Sequence, residues 1–456
     1  MKVIAVFDIG KTNKKLYLFN ETFQVIYSTQ ERWPEITDDD GFPSDDLVRI
    51  TLWMRKCMSN LLLDDKYTVV GVNFSAYGAS LVHTGEEGDV VSPFYNYLKP
   101  LPVEVREKFF QQYGPPAVFC RDTASPALDL LNSGLQLYFL KYVNPQIFRR
   151  IKYSLHLPQY LSFIFSGMPV SDFTSLGCHT AMWHFKQHEY HRWISEEKIT
   201  PLLAPLAKAL WVPSPVNAPG SKVFKIGVGI HDSSAALLPY LMSRQKPFIL
   251  LSTGTWSIAL NPYSQDELSE TDLQQDVLNF LRPDGLPVRA SRLFLGHIHE
   301  DISTKIAGHF QMDLQELKTI NFDSELFKGI ETKQQNLFPL PSLPYHRSQP
   351  AEISWTTFSS PAHAYHQLIW ELVLEQVTAL WRAAGSTRIE EVFLDGGFTD
   401  NPLFKGLLAK ALHPLPLWSA NLAAGSALGA AMVISDTPLP ADYLHQQGVN
   451  RVTPLQ

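Results

Sequence analysis

Near the start of the chain, apolar residues come in short runs separated by polar turns. Val3–Phe7 reads as a buried strand, Lys15–Phe19 alternates like a second, and Phe23–Ser28 like a third. Gly10–Asn13 and Asn20–Glu21 supply the turn residues between them, so the pattern predicts a three-stranded meander. From Asp45 to Leu63 the spacing changes. Leu47, Ile50, Leu52, Trp53, Met58, Leu61 and Leu62 recur at helical intervals, and Tyr67–Phe74 returns as a strand. Strands and helices alternate from there, which predicts an α/β protein.

The segment Val212–Lys222, VPSPVNAPGSK, has the composition of a connection, and a domain boundary is expected there, with residues 1–220 in one domain and 221–456 in a second. Beyond it the opening pattern recurs. Pro247–Ser252 is an apolar strand, Thr253-Gly254-Thr255 a turn, and Trp256–Leu260 another strand. Two hairpins of similar layout, each with a polar glycine turn, suggest two structurally related domains with a nucleotide cleft between them. Pro262–Pro350 is weakly periodic and is expected to be an elaboration on the second domain. A long helix follows at Ala362–Ala384, then a strand at Glu391–Leu394, a helix at Pro402–Leu412 and a small-residue helix at Leu422–Ile434.

Composition narrows the function. A chain of 456 residues with 45% hydrophobic content can bury more than one compact core. Its net charge of -7, with 38 Lys and Arg spread along the sequence, forms no basic stripe, so no nucleic-acid or membrane partner is expected. Cys57, Cys120 and Cys178 lie far apart and read as structural, which suits a reducing compartment. The first apolar run meets Asp8 at once and cannot be a signal peptide core, and no stretch is long and apolar enough to span a bilayer. A cytoplasmic protein is the expectation.

Four stretches can carry chemistry. In Asp8-Ile9-Gly10-Lys11-Thr12-Asn13-Lys14-Lys15, a carboxylate ends a strand, a glycine makes the turn, and hydroxyl, amide and ammonium donors follow. Such a turn can cradle phosphate oxygens with backbone N–H groups while Asp8 holds hydrated Mg²⁺; an ordinary hairpin favours the same residues. Ser252-Thr253-Gly254-Thr255 offers hydroxyls and close backbone approach to a phosphoryl group. In Asp395-Gly396-Gly397-Phe398-Thr399-Asp400-Asn401, paired glycines between a strand and a helix let a planar nucleoside lie against the backbone, although a capped helix start needs no ligand. Gly229-Ile230-His231-Asp232-Ser233-Ser234 places a carboxylate at the mouth of a helix, where it can act as a general base or simply as an N-cap.

Taken in their order along the chain, the four stretches resemble the signature of the FGGY carbohydrate kinases over almost the whole chain. Ala423-Ala424-Gly425-Ser426-Ala427-Leu428-Gly429-Ala430-Ala431 is similar to the family's closing helix, and Ser171-Asp172-Phe173-Thr174-Ser175 after Leu157-Pro158-Gln159-Tyr160 to a first-domain segment. The resemblance implies two ribonuclease H-like domains of the actin/hexokinase ATPase type around a central cleft. It also implies ATP and Mg²⁺ as cofactors and a small-molecule sugar as the partner; a homodimer is an open option. It makes Asp232 the base, with His231 beside it, and Asp8 the metal residue. Gly10, Lys11, Thr12, Asn13, Lys14, Thr253, Gly254 and Thr255 would close on the phosphates, and Gly396, Gly397, Phe398 and Asn401 would lie at the adenosine. ATP-driven chaperones and filament proteins share such nucleotide turns, but the His231-Asp232 motif argues for a kinase.

Ser75-Ala76-Tyr77-Gly78-Ala79-Ser80 follows a strand and resembles the aromatic-Gly-x-Asp segment of rhamnulose and fuculose kinases, and Gly254-Thr255-Trp256 resembles the same subgroup. The resemblance assigns Ala76, Tyr77, Gly78, Ser80, His231 and Asp232 to the sugar, with an aromatic face on its CH groups. Ser80 stands where the subgroup has an Asp, and Tyr95-Asn96-Tyr97 where the family shows an Arg-Asp or Asn-Asp contact. His179, His184, His188 and His191 are read as a solvated stretch with Trp183 and Trp193 packing inward. His297, His299, Glu300 and Asp301 are read as surface or lid. Leu368, Leu372, Val373 and Val377 are read as a core-packing stripe.

Overall fold

The structure is a computed structural model that describes residues 1–214, 223–333, 335–340, 352–420, 422, 424–440 and 442–455. The expected meander forms from Lys2–Ile9, Lys14–Phe19 and Val25–Glu31, each antiparallel to the next. Thr68–Ala76 then pairs parallel with Lys2–Ile9 and brings Ser75 opposite Asp8. Lys225–Gly227 and Ile230–His231 both add to the far side of Thr68–Ala76, and Trp211–Pro213 completes the sheet.

The helix Leu47–Leu63 starts where Asp46 accepts a hydrogen bond from the Arg49 N–H, which satisfies a donor the first turn would otherwise leave open. It buries Leu47, Ile50, Met54, Met58 and Leu61. Leu52 and Leu62, counted with the apolar face in the sequence, are exposed, because their positions rotate away from the three- and four-residue rhythm of that set. The buried face packs on Phe7, Val72, Phe74 and Leu161 in one core.

A second sheet repeats the layout. Phe248–Thr253 and Ser257–Asn261 form an antiparallel hairpin, Pro287–Leu293 lies antiparallel to Ser257–Asn261, and Glu391–Gly396 lies parallel to Phe248–Thr253. Its order, among the described residues, is Val277–Leu281, Pro287–Leu293, Ser257–Asn261, Phe248–Thr253, Glu391–Gly396, Leu417–Ala420, Asn450–Arg451. The region expected to be a mere elaboration therefore contributes two strands to this sheet. Pro361–Ala384 covers it, with Leu368, Leu372 and Val373 buried and Val377 packed at the edge of the core.

The chain divides into two compact units, Met1–Met242 with Asn279–Pro287 and Ala423–Pro440, and Ser243–Leu278 with Val288–Leu422 and Ala441–Gln456. The division differs from a single crossing at 220, a position that lies outside the described residues. Lys225–His231 are strands of the first sheet, so the helix they lead into, Asp232–Ser243, belongs with the first unit. The small-residue helix, described as Gly425–Met432, returns to that unit as well: the Ala430 carbonyl accepts a hydrogen bond from the Asn73 amide at 2.7 Å. Ala423, at its start, lies outside the described residues.

Candidate functional site

Three strand ends of the first sheet meet at one place. Asp8 and Ile9 end the first strand, Ser75 and Ala76 end the strand beside it, and Ile230–His231 pairs with Ser75 and Ala76. Asp8, Ala76, Tyr77, His231 and Asp232 are brought together by this register. Gly78 is wedged in the same spot: a Cβ added there would stand 2.6 Å from Cys178 Sγ and 3.0 Å from the His231 ring, so a larger residue would displace His231.

Asp8 is largely buried, and its carboxyl is pushed up to about 6, first by burial and then by the charge of Asp232; the Ser75 hydroxyl and Lys15 act the other way. Two carboxylates thus share one neighbourhood. Asp232 opens the helix Asp232–Ser243 and keeps about a third of its side chain exposed, 34%, while its Oδ1 accepts the Ser233 N–H at 2.6 Å. His231 Nε2 stands 3.2 Å from the same oxygen and 3.3 Å from Cys178 Sγ, and its Nδ1 is 3.4 Å from Ser234 Oγ. Burial holds the imidazole below its ordinary pKa, so it is neutral at pH 7 and meets Asp232 as a neutral ring and not as a full ion pair.

The backbone under Asp232 is fixed from a second direction. Asp172 caps the short helix Phe173–Leu176, accepting the Thr174 and Ser175 N–H groups and the Thr174 hydroxyl, and Thr174 Oγ1 in turn accepts the His231 N–H at 3.0 Å. The Ser171–Ser175 segment noticed in the sequence therefore acts through the peptide that carries Asp232.

Lys11 and Lys14, expected at phosphate, are tied to carboxylates. Lys11 Nζ reaches Asp45 Oδ2 and Glu35 Oε1, both at 2.8 Å, and Lys14 Nζ reaches Asp45 Oδ1 at 2.7 Å. Tyr77 also donates its hydroxyl to Asp45 at 2.7 Å, and meets Tyr97 edge to face with ring centres 5.9 Å apart. Lys11 Nζ lies 5.9 Å from both ring centres. Sequence reading missed Asp45 and Glu35. Asp45 reads as one of two acidic residues before a helix, but it is Asp46 that caps the helix, which leaves Asp45 free to face inward. Of the other expected positions, Gly10 donates its N–H to the Asn13 carbonyl, closing the turn, and Thr12 at its tip is exposed. Ser80 is buried, and its hydroxyl has no hydrogen-bond partner among the described residues.

In the second unit, Gly254, Thr255 and Trp256 form an exposed turn, closed by the Gly254 N–H on the Trp256 carbonyl. Thr253 faces the other way: its hydroxyl donates to the Asp395 carbonyl at 2.6 Å and accepts the Phe398 N–H at 3.1 Å. Gly396 has φ +87°, and a Cβ there would lie 2.0 Å from the Thr253 carbonyl oxygen, so only glycine fits. Gly397 is exposed, with nothing among the described residues within 4 Å of a Cβ position. Phe398 is buried, and Asn401 caps the helix Pro402–Leu412 through the Phe404 N–H and donates to the Tyr365 hydroxyl at 3.0 Å. His299, read as surface or lid, is buried and bonded to the same Tyr365 hydroxyl at 3.1 Å, because the helix Leu295–Phe310 turns that side inward. Trp183 and Trp193 are buried as expected, but His179 and His191, read as part of a solvated stretch, are buried beside them.

Comparison with known proteins gives a consistent result. The description "FGGY family of carbohydrate kinases, N-terminal domain" matches residues 3–200, and "Carbohydrate kinase FGGY, C-terminal domain" matches 245–442. A carbohydrate kinase from Novosphingobium aromaticivorans is similar in structure, with 21% identity, TM-score 0.81, and 99% of this chain and 96% of that one covered. A ligand-bound xylulose kinase from Lactobacillus acidophilus is similar at 15% identity and TM-score 0.77, over 100% and 94% of the two chains. A gluconate kinase from the same organism gives 15% identity and TM-score 0.76, over 100% and 94%. These likenesses establish the fold, two actin/hexokinase-like α/β domains.

Proposed function

This chain belongs to the FGGY family of carbohydrate kinases and is a sugar kinase, and from that premise we propose that it transfers the γ-phosphoryl group of ATP to a ketose hydroxyl, with Asp232 as general base. The observation that carries this reading is the pair of carboxylates, Asp8 and Asp232, at adjoining strand ends, one of them with its proton affinity raised by the other. In the reaction, Asp232 accepts the proton of the sugar hydroxyl as its oxygen bonds to the γ-phosphorus. The bond from that phosphorus to the bridging oxygen breaks, and ADP leaves with the electron pair. The protein does little covalent work, so a fixed Asp232 is its main contribution, and His231, Thr174 and Asp172 provide that fixing.

The residues present fit Mg²⁺. A carboxyl pushed up to about 6 by burial first and by a neighbouring carboxylate second gains from a divalent cation, and Mg²⁺ is commonly held by one or two carboxylates, waters and substrate phosphates. Asp8 would hold it, and when bound the ion neutralises charge on the phosphates. Gly10, Thr12 and Asn13 in the first unit, and Gly254 and Thr255 in the second, are proposed for the phosphates, with Gly396 and Gly397 beside adenosine. Lys11, Lys14, Phe398 and Asn401 are proposed to act indirectly, since each is already engaged with protein.

L-rhamnulose or L-fuculose is the substrate proposed first, on Tyr77-Gly78 and Gly254-Thr255-Trp256. A xylulose- or polyol-type substrate is the second reading. It is favoured by Ser80 and by Tyr95 and Asn96, which donate to Asp39 and to the Pro43 carbonyl. No helix among the described residues is long and apolar enough to cross a membrane, and we place the enzyme in the cytoplasm. The test is ADP release from Mg²⁺-ATP against a panel of ketoses, 6-deoxyketoses, aldoses and polyols. One sugar should stimulate release far above the background rate; a panel with no stimulation overturns the reading.

A further inference from the structure

Among the family's possible acceptors, neutral sugars and sugar acids make opposite electrostatic demands. A sugar acid needs a cation for its carboxylate, and a lysine near the base is the natural candidate. Lys11 occupies such a position, 5.9 Å from the centres of Tyr77 and Tyr97, and Tyr97 senses both Lys11 and Asp232. Its ammonium, however, is held by Glu35 and Asp45 together, and Lys14, the other lysine of the cluster, is buried on the second oxygen of Asp45. Lys15, paired across the ladder from Asp8, acts on Asp8. Three lysines therefore meet four carboxylates, Asp8, Glu35, Asp45 and Asp232, and among the described residues of this cluster no positive charge is left over.

We infer that the Glu35–Lys11–Asp45 clamp is a specificity device: it restricts this kinase to neutral polyhydroxy acceptors and excludes aldonates and other sugar acids, resting on the kinase reading above. A bound carboxylate would have to displace Glu35 from Lys11, or lie uncompensated beside Asp232 and Asp8. Like charges brought together in this way oppose binding of the acid. Hydroxyl groups can instead share the polar atoms of the clamp without breaking it. Glu35 is the displaceable member, because its side chain is 42% exposed against 4% for Asp45. It is a specificity residue and not a catalytic one.

The experiment compares kcat/KM for the best neutral acceptor and for D-gluconate and L-rhamnonate, in the wild type and in Glu35→Gln, by ADP release. The wild type should prefer the neutral acceptor by about 100-fold or more. Glu35→Gln, at a half-exposed position where folding is preserved, should narrow that ratio by about tenfold, mainly by lowering KM for the acids. Lys11→Met should leave the acids excluded and remove the gain when combined with Glu35→Gln. Wild-type turnover of an acid within tenfold of the neutral acceptor overturns the inference while leaving the kinase intact, as does an unchanged ratio in Glu35→Gln. Absence of ADP release with every neutral and acidic compound overturns the kinase reading and the inference with it.

Discussion

The two hairpin turns that open the two sheets share a topology and differ in chemistry. Asp8–Lys14 ends a strand that is antiparallel to its successor and parallel to Thr68–Ala76; Thr253–Trp256 ends a strand with the same two relations, to Ser257–Asn261 and Glu391–Gly396. The first turn is charged and internally neutralised, with its lysines on Asp45 and Glu35. The second carries no charge and stays open at Gly254, Thr255 and Trp256, which is 43% exposed. The same backbone frame therefore carries a charged, internally paired turn in one unit and an uncharged, exposed turn in the other.

The largest expected effect tests the first turn's neighbour. Asp232→Asn keeps the shape and removes the proton acceptor, so kcat should fall by about 10³-fold or more while ADP binding, measured calorimetrically, stays within a factor of a few. Near-normal turnover would remove the mechanism. On the second unit, Gly396→Ala forces a side chain onto the Thr253 carbonyl at a left-handed backbone position, and should destabilise that unit by about 3 kcal/mol or more, seen as an early transition in thermal unfolding.

Asp8 distinguishes a functional charge from a structural one. Its folded pKa of about 6 lies above its ordinary 3.8, so its contribution to stability is fully present below about pH 4 and lost as pH rises through 6. In chelator at pH 7, Asp8→Asn should raise stability by about 2–3 kcal/mol and flatten this pH dependence, while abolishing turnover with Mg²⁺-ATP. A loss of stability would show that Asp8 holds the fold and not a ligand. The smallest effect is Asn401→Ala, which removes a helix cap and should cost about 1 kcal/mol in unfolding free energy, with little change in KM for ATP if Asn401 acts through the helix alone.

Much of this arrangement is legible along the chain because it depends on local rules. The meander, the long helix Pro361–Ala384, the strand–turn–strand repeat and the order of the four glycine-bearing motifs all follow from short-range periodicity and turn chemistry. Asp8, Asp232 and Gly396 stand out for the same reason: each sits at a strand end or helix start whose residue types announce it. Cys178, read only as structural, and His299, read as surface or lid, could not be placed this way, because the contacts that define them come from residues 53 and 66 positions away, His231 and Tyr365.

The sequence by itself determined the α/β class, the two hairpins and the placing of acidic residues at a strand end and a helix start, since these rest on neighbours within a few residues of one another. Tertiary structure alone decided that Asp8 and Asp232 share a field, that Lys11 and Lys14 are neutralised by Glu35 and Asp45, and that the helix Gly425–Met432 returns to the first unit. Charge pairing and burial are properties of distance in space. A lysine four residues from a glycine turn looks the same in the chain whether it meets a phosphate or a carboxylate, and only the folded backbone brings Asp45 to it.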